Sequence, residues 1–218
     1  RQVCRIDVVD GNVRKAVCTN GEEYEAEMFI SDVHPALTLG LIEGNIGPYR
    51  KRVEALPNTE VVFTVSLILK PRSLKYFNWN QYIPAPHIEA PLTPVATAKG
   101  ENGGVEASPC ANAQGSGTWM LVSSRVPEDG GDYCAQIDLL VPMGRGMIRR
   151  DESYVRRKRR FADECIKCLE RFFIPNITDI TDAYYVSTPS TYERYTMTPG
   201  GSAFGIRKAY RSPMTTFL

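Results

Sequence analysis

Glu60-Val61-Val62-Phe63-Thr64-Val65-Ser66-Leu67-Ile68-Leu69-Lys70 is the stretch that decides the fold. Val61, Phe63, Val65, Leu67 and Leu69 alternate with Val62, Thr64, Ser66 and Ile68. That period of two belongs to a strand buried heavily on one face and partly on the other. Tyr133, Ala135, Ile137, Leu139 and Val141 repeat the period from about Tyr133 to Val141. A third strand is expected over Trp119 to Ser123, ahead of a turn through Pro127 to Asp132. Together these stretches predict an antiparallel or mixed sheet of several strands.

A helix is expected over 152–173. Ala162, Cys165, Ile166, Leu169, Phe172 and Phe173 recur at helical spacing, and Pro175 ends the run. Cys165 and Cys168 form a C-x-x-C pair on this apolar stripe. No second such pair exists and the histidines are His34 and His87, so core packing is the reading and no metal is expected. Upstream, Arg149, Arg150, Arg156, Arg157, Lys158, Arg159 and Arg160 form a basic cluster interrupted by Asp151 and Glu152. A solvated face is the first reading of that cluster, with an anionic membrane surface or nucleic acid as alternatives.

The N-terminal 31 residues read as a β-meander: Val3 to Val9, Val13 to Thr19, and a return through Ala26 to Ile30. Asp10-Gly11 and Asn20-Gly21 supply the positive φ angles of tight hairpin turns. Pro35 breaks the pattern, and Ala36 to Ile42 reads as a short helix. Residues 84–118 are rich in proline and glycine without periodicity, which suggests a loop-rich insertion or a lid. The chain has 218 residues, 43% hydrophobic and 23% charged, with a net charge of +1. That is enough for one large domain or two small ones, and it gives no global field for nucleic acid. No apolar run approaches the roughly 18 residues of a membrane span. Six cysteines spread over such a length favour a reduced, cytoplasmic protein. The start lacks a signal-peptide core and reads as a strand that begins inside a fold.

Near the end, Ser187, Thr188 and Pro189 lead through Tyr192, Tyr195, Thr198 and Pro199 into Gly200-Gly201-Ser202-Ala203-Phe204-Gly205. A strand-like entry, an aromatic middle and a glycine turn read as the wall of an apolar pocket. The residues after it, Thr215 to Leu218, bring no closing element, as expected for a piece of a larger protein. Catalytic residues are not identifiable. G-x-G-x-x-G, P-loop and G-x-S-x-G patterns are missing from the sequence, and Gly115-Ser116-Gly117 and Gly144-Arg145-Gly146 are too short to count. His34, before Pro35, has no visible carboxylate or nucleophile partner for general-base work.

The order of these segments resembles the later part of the flavin-dependent phytoene desaturase and retinol saturase group, a branch of the amine-oxidase-like flavoproteins. Val3, Ile6, Asp10-Gly11, Asn20-Gly21-Glu22 and Ala26-Glu27-Met28-Phe29-Ile30-Ser31-Asp32-Val33-His34-Pro35 match its meander and its A-d-x-V-I-S-n-x-h-P segment. The strand from Val61 and Pro142-Met143 occupy similar places, and Thr188 to Gly205 matches T-P-x-T-Y-x-x-Y-T-x-T-P-x-G-S-A-x-G. Residues 84–118 contribute little. The family's glycine-rich first βαβ unit and its final strand and helix beside the flavin have no counterpart here.

The resemblance implies an α+β fold, a mixed or antiparallel sheet flanked by helices, with an N-terminal β-meander belonging to an FAD domain. It divides the chain into part of an FAD-binding domain (1–35), a substrate-binding domain (36–205, with 84–118 inserted) and a return segment (206–218). FAD is the implied cofactor of the larger protein, not expected to bind this piece tightly, with Val3, Ser31 and Asp32 at the cofactor. Thr188, Tyr192, Tyr195, Gly201, Ser202, Phe204 and Gly205 are implied near an apolar polyene or lipid-like substrate. The implied reaction moves hydrogen across carbon-carbon double bonds of a carotenoid- or retinoid-like isoprenoid. The contrasting expectation is a non-catalytic module that binds lipid or a membrane surface through the apolar sheet and the Arg149 to Arg160 cluster.

Overall fold

Fourteen short elements arise from these patterns in a computed structural model that describes residues 1–44, 46–86, 119–143 and 151–208. The fold is mixed α+β, with two antiparallel sheets and four α-helices among the described residues. It divides into two compact units, one of residues 1–59 and 192–218, the other of residues 60–191. The expected domain boundaries at 35 and 205 therefore fall inside the first unit. Most of the 84–118 segment, Gly144-Arg145-Gly146, Arg149, Arg150 and most of the return segment lie outside the described residues.

In the unit of residues 60–191, β4 (Val61–Leu69), β5 (Gln81–Pro84), β6 (Trp119–Arg125), β7 (Gln136–Met143) and β8 (Thr181–Ser187) form one sheet. Their order is β5-β6-β7-β4-β8, antiparallel throughout. Along β4 the odd-numbered side chains Val61, Phe63, Val65, Leu67 and Leu69 are buried, and all the even ones except Val62 are half-buried, as the alternation predicts. Helix α3 (Tyr154–Phe172) covers the odd face. Phe161 meets Phe63 edge-on at 4.8 Å, and Ala162, Cys165 and Leu169 are fully enclosed in the same core. Burying a side chain such as Phe63 or Leu67 contributes about 1.5–3 kcal/mol, so this layer is the unit's main source of stability. Pro175 cannot continue α3, and Asn176 turns the chain in the left-handed region at φ 59°.

One expectation shifts here, and one strand is new. The second strand of the pattern begins at Gln136, because Cys134 donates its N–H to Leu74 and Tyr133 pairs in an isolated bridge with Lys75. Edge strand β8 is not marked by alternation, since Tyr184 and Tyr185 are both exposed. An edge has one hydrogen-bonded neighbour and one free side, so it needs no strict apolar period.

In the other unit, β1 (Val3–Val9) and β2 (Asn12–Cys18) form the expected hairpin. Asp10 and Gly11 take φ 50° and 77°, the pair of positive values a type I′ turn requires. The next turn differs. Gly21 alone goes positive, at φ 83°, and donates its N–H to the Cys18 carbonyl, so Asn20 is an ordinary turn residue. Strand β3 (Glu23–Glu25) ends before Ala26, and the expected return strand over Ala26 to Ile30 does not form. No chain pairs with it there among the described residues, and Met28 and Ile30 are exposed. Helices α1 (Pro35–Leu41) and α2 (Gly47–Glu54) follow. Arg50 donates to the carbonyls of Leu39 and Ile42 and so closes the end of α1, and Val53 is buried.

Candidate functional site

The segment from Thr188 to Gly205 is a helix and a turn. Helix α4 (Pro189–Thr196) carries the aromatic middle, and the boundary between the two units falls within it. Thr188 is completely buried in the unit of residues 60–191. Its hydroxyl meets Tyr154 Oη at 2.7 Å, and it exchanges hydrogen bonds with Thr191 in a reciprocal cap of α4. Tyr192, Tyr195, Gly201, Ser202, Phe204 and Gly205 belong to the other unit. The residues expected to form one pocket wall are thus divided between two bodies, and Thr188 is engaged as a cap.

After α4, Gly200 and Gly201 take φ 67° and 66° in succession, a conformation that side chains with a Cβ resist. The turn they make is clamped by residues 57–59. Thr59 donates its N–H to the Gly205 carbonyl at 2.8 Å, and its hydroxyl meets Ser202 Oγ at 2.7 Å. Phe204 N–H donates to Thr59 Oγ1, and Arg207 N–H to the Pro57 carbonyl. Ser202 and Gly201 are buried by this arrangement, whereas Tyr195 and Phe204 are each 75% exposed. The clamp fixes the turn and leaves the two aromatic rings outward.

His34 belongs to the same scaffold. Its Nδ1 accepts the Ala36 N–H at 3.2 Å and caps α1, which places the ring proton on Nε2. Nε2 then donates to Asn58 Oδ1 at 2.8 Å. Both ring nitrogens are occupied, so the ring ties the start of α1 to Asn58. The signal available beforehand was the His-Pro junction, because proline at the first helical position sets a cap just before it.

Among the described residues, those expected at FAD form no cradle. Val3 pairs with Cys18 in the β1–β2 ladder and is exposed; Ser31 and Asp32 are exposed, with Ser31 Oγ 2.6 Å from Thr38 Oγ1. A pyrophosphate needs several free N–H groups at a glycine-rich turn or a helix N-terminus. Helix α1 is seven residues long, and His34 already takes its first available N–H. The residues described do not by themselves fit the dinucleotide, and no redox step is assigned to them.

The more developed surface is the even-numbered face of β4, opposite α3. Pairing registers place Tyr82, Leu121, Leu140 and Thr64 in one row across the sheet, and Ser123, Asp138, Ser66 and Tyr185 in the next. Trp119 stands beside Tyr82 with ring centroids 5.2 Å apart, edge to face, and both rings are about half exposed. Leu121 and Leu140 are half-buried between this aromatic rim and the centre of the sheet. Asp138 is buried at that centre. Its Oδ1 accepts from Ser66 Oγ and Gln136 Nε2, each at 2.6 Å, and its Oδ2 accepts from Arg125 Nε at 2.6 Å. The bond to Asp138 holds the Arg125 guanidinium charged, raising its pKa, while 69% of that side chain stays exposed. The face therefore runs from an aromatic rim over two leucines to an anchored cation. Its polar members escaped the sequence reading because Asp138 interrupts an apolar run and names no partner; the registers of three strands bring the four side chains together.

Cys165 and Cys168 are not a reactive pair. Burial drives the Cys165 thiol pKa far up and raises that of Cys168, which keeps both protonated at neutral pH. Among the described residues, no three His, Cys, Asp or Glu side chains are grouped to hold a metal ion, and no helix is long and apolar enough to cross a membrane. No protein-family model matches the chain, and no curated protein matches it.

Proposed function

We propose that this chain is the substrate-binding part of an FAD-dependent oxidoreductase that adds or removes hydrogen across carbon-carbon double bonds of an apolar isoprenoid. The observation that carries the reading is the even face of the five-stranded sheet. It offers Tyr82 and Trp119 as a rim, Leu121 and Leu140 as a floor, and Arg125 as a fixed polar end. Successive side chains on one face of a strand lie about 6.6 Å apart, so Trp119 to Arg125 spans about 20 Å. That length suits an extended polyene better than a compact polar metabolite. The match of Thr188 to Gly205 with the phytoene desaturase and retinol saturase group supports the same assignment.

In this reading the chain's own residues do the binding. Aromatic rings and leucines hold the conjugated chain flat and displace water, and Arg125 sets which end lies where. Proton-transfer groups are not required of this part.

The test is to express the complete open reading frame that contains this chain, record its visible spectrum, and identify co-purified lipid by mass spectrometry. A flavin spectrum and an isoprenoid are the expected results. A colourless, FAD-free full-length protein overturns the reading. Leu140→Asp in the same protein should abolish lipid recovery while leaving the flavin band, because the charge enters the floor of the face.

A further inference from the structure

We infer that the outer surface of the N-terminal half of α3 is a docking surface for an anionic phospholipid bilayer. Arg156, Arg157, Lys158, Arg159 and Arg160 follow one another there, in a chain whose net charge is only +1. Lys158 lies over the Tyr154 ring and Arg157 pairs with Asp151. Arg156, Arg159 and Arg160 are exposed, and none of the three forms an ion pair among the described residues. They share an open surface groove with Val155, Glu152, Asp163, Glu164 and Lys167. Asp163 accepts the Tyr184 hydroxyl and keeps its charge, and Glu164 pairs with Lys167; with Glu152, the groove holds three acidic side chains against the four basic ones Arg156, Arg159, Arg160 and Lys167, a small cationic excess.

The N-terminal turn of a helix carries a positive partial charge and favours acidic side chains. Just ahead of α3, Asp151 accepts the Ser153 N–H and Glu152 adds a second negative charge, and of the three arginines Arg156 alone lies in the first turn. Packing explains the opposite side of α3, which fills the core, but it explains none of the outward arginines. A partner with dense negative charge does.

Between the two polyanions, a bilayer fits better than nucleic acid. Single-stranded nucleic acid is held by aromatic rings between basic residues, whereas the apolar side chain lining the groove among these arginines is Val155, at 55% exposure, and the nearby Tyr184 is tied through its hydroxyl to Asp163. Arginine stems around a small apolar contact match the headgroup boundary of a membrane. The basic surface of α3 is independent of the flavoprotein reading.

The experiment is flotation of the purified chain with phosphatidylcholine vesicles, with and without phosphatidylserine, at low and high salt. Binding should require phosphatidylserine and weaken as salt rises. Each basic side chain removed should cost about fivefold in affinity, so Arg156→Gln, Arg159→Gln and Arg160→Gln together should cost about a hundredfold. The same triple variant should keep its unfolding temperature, because the three side chains are exposed and form no ion pair among the described residues. A triple Arg→Lys variant should retain binding. No binding to phosphatidylserine vesicles, binding unchanged in the Gln variant, or binding to an oligonucleotide in place of vesicles would each overturn the inference.

Discussion

The two units are built on different principles. In the unit of residues 60–191, a continuous core runs from Val61 through Met120, Leu139 and Cys165 to Ile177, each at zero exposure or close to it. In the other unit the buried apolar side chains among the described residues are Cys18 and Val53, and polar residues such as His34 and Ser202 do the rest of the ordering. Its sheet has three strands, and Val3, Val9, Tyr24, Met28, Ile30 and Val33 are exposed. One unit is held by burial and the other by a network of hydrogen bonds, several of them between residues far apart in the chain. A three-stranded sheet with so few fully buried apolar side chains is marginal in water, so the second unit's order depends on those bonds to an unusual degree.

Thiol labelling offers the widest contrast. Cys165 should react more than about a thousandfold more slowly than exposed Cys4, since it must wait for the core to open. Because its folded-state pKa lies above the unfolded value, the associated stability is present below about pH 8.5 and declines as pH rises past it. Comparable labelling rates would mean that the apparent core is open. Next in size, Phe63→Ala should destabilise the larger unit by about 3–5 kcal/mol in urea unfolding, through lost contact with Phe161 and the cavity left behind. A cost under about 1 kcal/mol would end the claim that burial holds this unit.

His34→Ala probes the other side of the comparison. Loss of the α1 cap and of the Asn58 bond should cost about 1–2 kcal/mol. Hydrogen exchange should quicken at residues 57–59 and 199–207 and stay unchanged in β4 and β7; equal acceleration everywhere would show a single cooperative body. Ile30→Ser, at 89% exposure, should change stability by less than about 0.5 kcal/mol. A larger loss would reveal that Ile30 is covered in solution.

Legibility in the sequence follows the same division. β4, α3 and the β1–β2 hairpin were readable because each couples a period or a turn type to a large free-energy difference: alternate burial in Val61–Leu69, a buried stripe on Tyr154–Phe172, two positive φ angles at Asp10-Gly11. The expected return strand over Ala26 to Ile30 is absent because the apolar residues there have no strand to pair with among the described residues. Helix α4 was hidden because Pro189 and a run of threonines and tyrosines carry no helical stripe, and its cap comes from Thr188 and Thr191.

By itself, the sequence determined the α+β character, the principal strand and helix and which of their faces are apolar, since periodicity and turn chemistry are local properties. Only the tertiary structure decided that Thr188 and Ser202 belong to different units, that His34 is a cap, and that Ser66, Arg125, Gln136 and Asp138 meet on one face. Those outcomes depend on strand register and on hydrogen bonds between residues far apart in the chain, which no local pattern encodes.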